Sequence, residues 1–209
     1  MARRTAPEIN AGSMADIAFL LLIFFLVATT MEVDGGIPRK LPQKQPLNAP
    51  PPPVIKAKNV LEISINRNDQ LLVEGDQRVE LKDIKNIALE FIDNGSGDPT
   101  AKPPLAPCSY CKGGPDGVID QNSSVHPEKA VISLKVDRGT SYGASTAVQD
   151  ALSQAYNDLR NQVSKSKYGV SYDALLARKK IDKGNEKLLA KIKTIKGMYP
   201  EIISEVEPK

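Results

Sequence analysis

Met14-Ala-Asp-Ile-Ala-Phe-Leu-Leu-Leu-Ile-Phe-Phe-Leu-Val-Ala-Thr-Thr-Met31 is a run of apolar residues interrupted by one carboxylate, Asp16. At about 1.5 Å per helical residue, the stretch from Ser13 to Met31 is long enough to cross most of a bilayer's hydrocarbon core of about 30 Å. No other stretch of the chain is. A charged group at the middle of such a helix costs roughly 2.5–3.5 kcal/mol on insertion scales, so an intramembrane Asp is by default a functional-site candidate. The run has no small-x-small cleavage site, because Val27-Ala-Thr-Thr-Met31 leads into Glu32-Val-Asp34, and it exceeds the apolar core of a signal peptide. It reads as an uncleaved anchor. The positive-inside rule does not orient it, since Arg3 and Arg4 precede the run while Arg39, Lys40 and Lys44 follow it.

Working outward, residues 1–12 are a short basic stub ending in Asn10-Ala-Gly-Ser13, with Ser13 or Asn10 as the expected helix N-cap. The span is expected at 13–31. Beyond it, Gly35-Gly-Ile-Pro-Arg-Lys-Leu-Pro42 and the run from Pro46 to Pro53, with four consecutive prolines from Pro50, cannot form the interior of a helix or sheet. Residues 32–58 therefore read as a Pro-rich, extended spacer of about 3 Å per residue. The 209 residues supply this anchor and one soluble domain of ordinary size. A net charge of +3, with 28 Lys and Arg against 25 Asp and Glu, is too mild to argue for nucleic acid. With no Trp and few aromatics, the core must come from Ile, Leu, Val and Ala.

The domain is expected over 59–209. Val60-Leu-Glu-Ile-Ser-Ile65 alternates, with Leu61, Ile63 and Ile65 on one face, which predicts a half-buried strand. Asn66-Arg-Asn-Asp69 is turn chemistry, Leu71-Leu-Val73 returns as a second strand, and a third is expected around Arg78 to Glu80. Asp83 to Phe91 reads as a helix with Ile84, Ile87, Ala88 and Phe91 on one side. Between Asn94 and Pro127 the pattern dissolves into Gly, Pro, Ser and Asp, a loop insertion too long for a simple connection. Ala130 to Val136 reads as a buried strand. Tyr142 to Tyr156 reads as a helix whose core face is Val148, Ala151, Leu152, Ala155 and Leu159. Tyr172 to Lys196 reads as a very basic helical region with Leu188, Ile192 and Ile195 at helical spacing and Gly184 as a break, and Glu201 to Val206 as a last strand. The expected fold class is a single N-terminal transmembrane α-helix followed by a two-layer α/β domain with a small mixed sheet packed on helices.

On a helix, Gly12, Asp16, Phe19, Leu20, Ile23, Val27 and Thr30 share one side. A carboxyl carried between lipid-like and polar surroundings exchanges its proton, because the two environments favour different charge states. The competing account is local. Ser13-x-x-Asp16 has capping-box spacing, and an acid in a first turn favours the helix dipole by about 0.3–1 kcal/mol. Thr29 and Thr30 have the same two readings, proton-path hydroxyls or side chains bonded to their own preceding carbonyls. Cys108-Ser-Tyr-Cys111 is a Cys-x-x-Cys flanked by Pro107 and Lys112-Gly-Gly-Pro115. It suits a disulfide pinning the loop better than a redox site on a helix N-terminus. A zinc site needs four ligands, and His126 is the one histidine. No phosphate loop, Ser/His/Asp set or His pair appears, so no enzymatic activity, cofactor or metal is expected. The lysines from Arg178 to Lys196 are expected to be a solvated helix face, with contact to anionic lipid or peptidoglycan as a weaker option.

The basic stub, the helix with Ser13-Met-Ala-Asp16 followed by Leu20-Leu-Leu-Ile-Phe-Phe25 and Thr29-Thr30, Leu41-Pro42 after it, and the strand-helix unit from Ile132 to Ala151 together resemble the ExbD/TolR family. The resemblance implies an inner-membrane protein with its N-terminus in the cytoplasm and its folded domain in the periplasm. It implies a proton-linked subunit that works with an ExbB/TolQ-type channel, forms a homodimer, and passes energy to a TonB-type or TolA-type partner. Asp16 then carries the proton, with Thr30 and Ser13 as further positions on the helix, and Leu41 and Pro42 match a segment that switches the coupled complex. The Cys-containing insertion and the basic C-terminal region depart from the family's compact pattern. The rival expectation is a membrane-tethered binding protein with a passive anchor and a domain that holds a ligand or the cell wall.

Overall fold

The computed structural model describes residues 11–29, 55–75, 77–100, 104–113 and 123–206. The chain divides into two units, Met1–Pro51 and Pro52–Lys209. In the first, helix α1 spans Ala11–Thr29. Ser13 therefore lies within the helix rather than at its N-cap, and Asp16 lies past the first turn. Every α1 side chain described, from Ala11 to Leu26, is exposed. Among the described residues no helix is long and apolar enough to cross a membrane. The 19 residues of α1 span about 28 Å. Met31 and Thr30, the expected end of the span, lie outside the described residues, as do Leu41, Pro42 and most of the proline-rich spacer.

The second unit is built on one mixed sheet. After a 3₁₀ turn at Ala57–Asn59 come β1 (Val60–Ile65), β2 (Leu71–Val73) and β3 (Gln77–Val79), joined as antiparallel neighbours. The β1–β2 turn is set by Asn66, whose Oδ1 accepts from the N–H groups of Asn68 and Gln70, both at 2.9 Å. Asp69 takes the left-handed conformation with φ 60°, which a short polar side chain tolerates. Helix α2 (Leu81–Ile92) and the insertion lead to β4 (Val131–Val136), which lies parallel to β1 on its other side. β5 (Ile203–Val206) lies parallel to β4, giving the order β3-β2-β1-β4-β5.

Alternation decides which face is covered. In β1, Leu61, Ile63 and Ile65 are buried while Val60, Glu62 and Ser64 are not. In β4, Ile132 and Leu134 are fully buried while Ser133 and Lys135 are not. Ile63 stands opposite Val73 on one side and Leu134 on the other, so one apolar row crosses three strands. Burying a side chain of this size contributes about 1.5–3 kcal/mol.

Helices cover that face. α2 presents Ile84, Ala88, Phe91 and Ile92. α3 (Tyr142–Tyr168) is capped by the Ser141 hydroxyl, which accepts from Ala144 N, and presents Val148, Leu152, Ala155, Tyr156 and Leu159. It runs about three turns beyond the expected Tyr156, since no Gly or Pro interrupts it until Gly169, which takes the left-handed C-cap conformation at φ 68°. The basic region expected as one interrupted helix is two. α4 (Tyr172–Ile181) and α5 (Glu186–Met198) are separated by Asp182-Lys-Gly-Asn185, and Asn185 caps α5 by accepting from Leu188 N. Leu175 of α4 and Leu188, Ile192 and Ile195 of α5 belong to the same core as the sheet.

One cation sits inside this packing. Arg160 of α3 is 5% exposed. Its Nε and Nη2 donate to the Tyr199 carbonyl at 3.1 and 2.9 Å, and its Nη1 donates to Glu201 at 3.3 Å. Its guanidinium carbon lies 5.6 Å from the Tyr156 ring centroid and 5.8 Å from that of Tyr172. Removing one partner of a buried charged pair leaves the others desolvated, at about 3–5 kcal/mol. Arg160→Ala should lower the unfolding free energy by about 3 kcal/mol, and Arg160→Lys by nearly as much because an ammonium cannot reproduce the two-pronged donation. Urea denaturation measures both, and an unfolding midpoint unchanged in either variant contradicts the role given to the guanidinium.

Candidate functional site

In the first unit the chemistry rests on one group. Asp16 is the only ionisable residue of α1, among large apolar side chains of which Ile17, Phe19, Leu20, Leu22, Phe24 and Phe25 are each about 60% exposed. Gly12, Phe19 and Ile23 share its side of the helix by spacing, whereas Thr30, expected on that side, lies outside the described residues. Because α1 is already helical from Ala11, Asp16 has more than a full turn of helix before it, and its dipole and capping-box accounts lose their geometry. Those effects fall off within the first turn. A helix apolar on all sides is stable only when something other than water surrounds it.

In the second unit, among the described residues nothing covers the sheet face away from the helices. Glu62, Ser64, Ser133, Lys135 and Val206 line a shallow depression there. β5 pairs with β4 along one side, and among the described residues nothing pairs with its other side. Ser204, Glu205 and Val206 are exposed. An open edge of this kind offers backbone N–H and C=O groups to an incoming strand.

The described parts of the insertion are built onto the domain. Its first segment bonds on two sides: Gly97 N donates to Val125 O, while Cys108 N donates to Gly95 O, and Asp98 and Leu105 exchange backbone bonds. Cys108 and Cys111 are joined as a disulfide with Cα atoms 5.6 Å apart. The bridge lies on Gly95, where a methyl group would collide with the Cβ of both cysteines. Tyr110, between the two, packs edge-on against Tyr199 at 5.5 Å and His126 at 6.3 Å, and its hydroxyl donates to Met198 O. Tyr199 donates in turn to Asp93 at 2.7 Å.

Burial governs the acid-base chemistry of this cluster. Desolvation raises the Asp93 carboxyl above its ordinary value, against the lowering effect of the Tyr199 hydroxyl and Lys112. Burial also pushes Tyr110 up to about 12 and raises Tyr199, whose hydroxyl faces the Asp93 charge. His126 is lowered by desolvation, and its Nδ1 accepts from Glu128 N. Asp98 is held at about 2 by the Lys56 ammonium, 2.5 Å away, and by the Thr100 hydroxyl. Burial is the largest cause of each of these shifts except that of Asp98, which its partners explain. An open cleft of about 440 Å³ beside Asp93 brings Glu90, Lys112, Ser123 and Gln162 together. Among the described residues no group of three or more His, Cys, Asp and Glu could hold a metal ion.

Sequence reasoning had no hold on this Arg160–Tyr199–Asp93–Tyr110 cluster, which joins α3, the end of α5, the end of α2 and the insertion. The one local signal was Arg160 itself, four residues after Tyr156 on the apolar stripe of α3. A charge on a core stripe announces a buried partner.

A family model described as biopolymer transport protein ExbD/TolR matches residues 2–165. No curated protein matches the chain. The matched segment contains α1, the sheet strands β1 to β4, the insertion and most of α3, and it ends before α4.

Two outcomes test the insertion's construction. Closing a loop of this size contributes about 2 kcal/mol by chain entropy. Replacing Cys108 and Cys111 together by Ser should therefore lower stability by about that amount and raise amide exchange at Gly97 and Cys108 first; unchanged exchange there contradicts the pinning role. For Asp93, the folded state keeps the proton to a higher pH than the unfolded chain, whose Asp titrates near 3.8. Its contribution thus favours folding at low pH and fades as pH rises through the raised folded value. Asp93→Asn, which still accepts from Tyr199, should flatten that slope and be at least as stable at pH 7. Urea titrations between about pH 4 and pH 8 read both quantities, and a variant with the parent slope refutes the assignment.

Proposed function

The chain belongs to the ExbD/TolR family of biopolymer transport proteins, a family of inner-membrane proteins that works with ExbB/TolQ and TonB/TolA partners, and from that membership we propose a proton-driven, single-pass energy-transducing subunit. In this reading α1 crosses the inner membrane with the stub in the cytoplasm and the α/β domain in the periplasm. Lipid and an ExbB/TolQ-like channel subunit cover the apolar side chains that are bare in the isolated chain. Asp16 takes up a proton in one setting and releases it in the other. Each elementary charge that crosses the membrane provides about 2.3 kcal/mol per 100 mV. A few protons thus supply the energy of a mechanical step.

The observation that carries the reading is Asp16 as the sole ionisable group of a helix with every described side chain exposed and none of the local reasons for an acid. The domain supplies the other end of the coupling. The open edge of β5 suits backbone pairing with a TonB/TolA-like partner or with a second copy in a homodimer. Leu41 and Pro42 belong to the connecting segment through which helix movement reaches the domain, and Thr30 and Ser13 are the further polar groups along the helix. No step in this function makes or breaks a covalent bond of a substrate, so the protein is not read as an enzyme and needs no cofactor.

The test is Asp16→Asn, which keeps the size and polarity of the side chain and removes its proton exchange. In cells, uptake that depends on the proton gradient should fall to background, while the variant still accumulates in the inner membrane and co-purifies with the channel subunit. Asp16→Glu should recover part of the activity. Full transduction by the Asn variant overturns the proton role and leaves the passive-anchor account.

A further inference from the structure

The positive charge of this chain is concentrated in one place. Residues 172–198, α4 and α5 with their turn, hold eight Lys or Arg and three Asp or Glu, a net +5; the rest of the chain carries 20 basic against 22 acidic residues and is itself −2. This hairpin lies beyond the family-matched segment, which ends at residue 165, so the shared function does not account for it.

Its tip has an unusual surface. All eleven residues from Ala177 to Lys187 are exposed, and Ile181, at 89%, is more exposed than any other large apolar residue described. Around it stand Arg178, Lys179, Lys180, Lys183 and Lys187, none of which forms an ion pair among the described residues. Between the helices a groove of about 380 Å³ has Leu175, Ile181 and Leu188 in its lining, with Arg178, Lys187 and Lys191 and one carboxylate, Asp182, beside them. A cationic rim around aliphatic groups is the complement of an amphiphile whose anionic head joins an apolar body. An acidic polymer or protein segment would use the cations and leave Ile181 in water. Lysine stems also cover apolar surface while their ammonium groups reach outward, which suits a water–lipid boundary.

We infer that the α4–α5 hairpin is a contact site for an anionic phospholipid surface, docking the domain on the bilayer through Arg178, Lys179, Lys180 and Lys183 with Ile181 entering the headgroup layer. The inference rests on the anchored reading above for its location. The 25 residues 30–54 between α1 and the described start of the domain can reach at most about 90 Å, so the bilayer is always within range of the hairpin. Attraction to anionic headgroups weakens as salt shortens the screening distance. Docking of this kind would hold the domain near the membrane until a competing partner or the helix's movement lifts it.

The experiment uses the full chain in lipid nanodiscs. The native cysteines are bonded to each other, so Gly184→Cys, at a turn position where an added Cβ meets nothing within 4 Å, gives one labelling site for a fluorophore. Quenching by nitroxide-headgroup lipid should be strong in discs containing about 30% phosphatidylglycerol, weak in zwitterionic phosphatidylcholine discs, and reduced by about 0.5 M salt. One basic residue at an anionic surface changes partitioning about five-fold. Reversing Lys179, Lys180 and Lys183 to Glu should therefore reduce docking by more than about 100-fold and abolish the quenching, replacing the three by Arg should retain it, and Ile181→Ser should weaken it. Equal quenching in both lipid compositions, or quenching indifferent to the charge reversal, overturns the inference. So does capture of an acidic protein that persists while quenching is absent. Failure of the chain to enter discs at all would instead overturn the anchored reading, which keeps the two outcomes distinct.

Discussion

The guanidinium of Arg160 and the carbonyl of Tyr199 form the contact on which the arrangement of the domain depends. Arg160 projects from the middle of α3; Tyr199 ends α5 and leads into β5. Their two hydrogen bonds fix where the chain leaves the helical layer, and only from that point does Ile202 O accept from Ile132 N, so that β5 aligns with β4. The same Tyr199 carries the insertion, through its hydroxyl on Asp93 and its ring against Tyr110. One buried cation thus sets the edge strand and, at one remove, the Cys-x-x-Cys loop. The rings of Tyr156 and Tyr172 face it, and with the carbonyl, the carboxylate of Glu201 and the two ring faces they replace the water that the charge gives up.

The fold was legible wherever a period could be read. β1 and β4 alternate, α2 and α3 carry apolar residues at helical spacing, and β5 stands out despite its length because Ile202 and Ile203 precede an alternating tail. Strand order is non-local and had no comparable signal. That β1 lies between β2 and β4, with β4 between β1 and β5, depends on pairings across the insertion and across three helices. The second half of α3 was missed because Ser153 to Lys167 is mostly polar, and polar helix faces leave no apolar period to count. The site was legible in a different way. Asp16 stood out by contrast with its neighbours, whereas Arg160 and Asp93 take their meaning from residues 39 and 106 positions away.

The insertion, inside the family-matched segment, and the α4–α5 hairpin, beyond it, have different physical characters. The insertion is bonded into the domain, with backbone pairing on two sides, a disulfide on Gly95 and an aromatic residue locked between His126 and Tyr199. It adds rigidity to the end of α2. The α4–α5 hairpin uses Leu175, Leu188, Ile192 and Ile195 to join the core and leaves its charges and Ile181 in solvent. Its tip adds surface rather than stability. A chain under no demand at that tip would replace Ile181 by a polar residue at no loss of packing, since the side chain touches little of the fold.

The turn of helix that precedes Asp16 bears most directly on it. Had the helix begun at Asp16 or just before it, a carboxylate near the unpaired N–H groups of a first turn would be ordinary, worth about 0.3–1 kcal/mol to the helix and nothing more. With the helix already formed at Ala11, Asp16 has at least a full turn of helix before it, and its own N–H lies where the helix already supplies a carbonyl partner. The acid then gives the helix no cap and no dipole benefit, while in an apolar setting it carries the penalty of a desolvated charge. A sequence shaped by stability alone would place Ala or Leu there. Local energetics thus give the carboxylate no purpose, and under the function proposed above, proton exchange with a partner that meets this face of the helix gives it one.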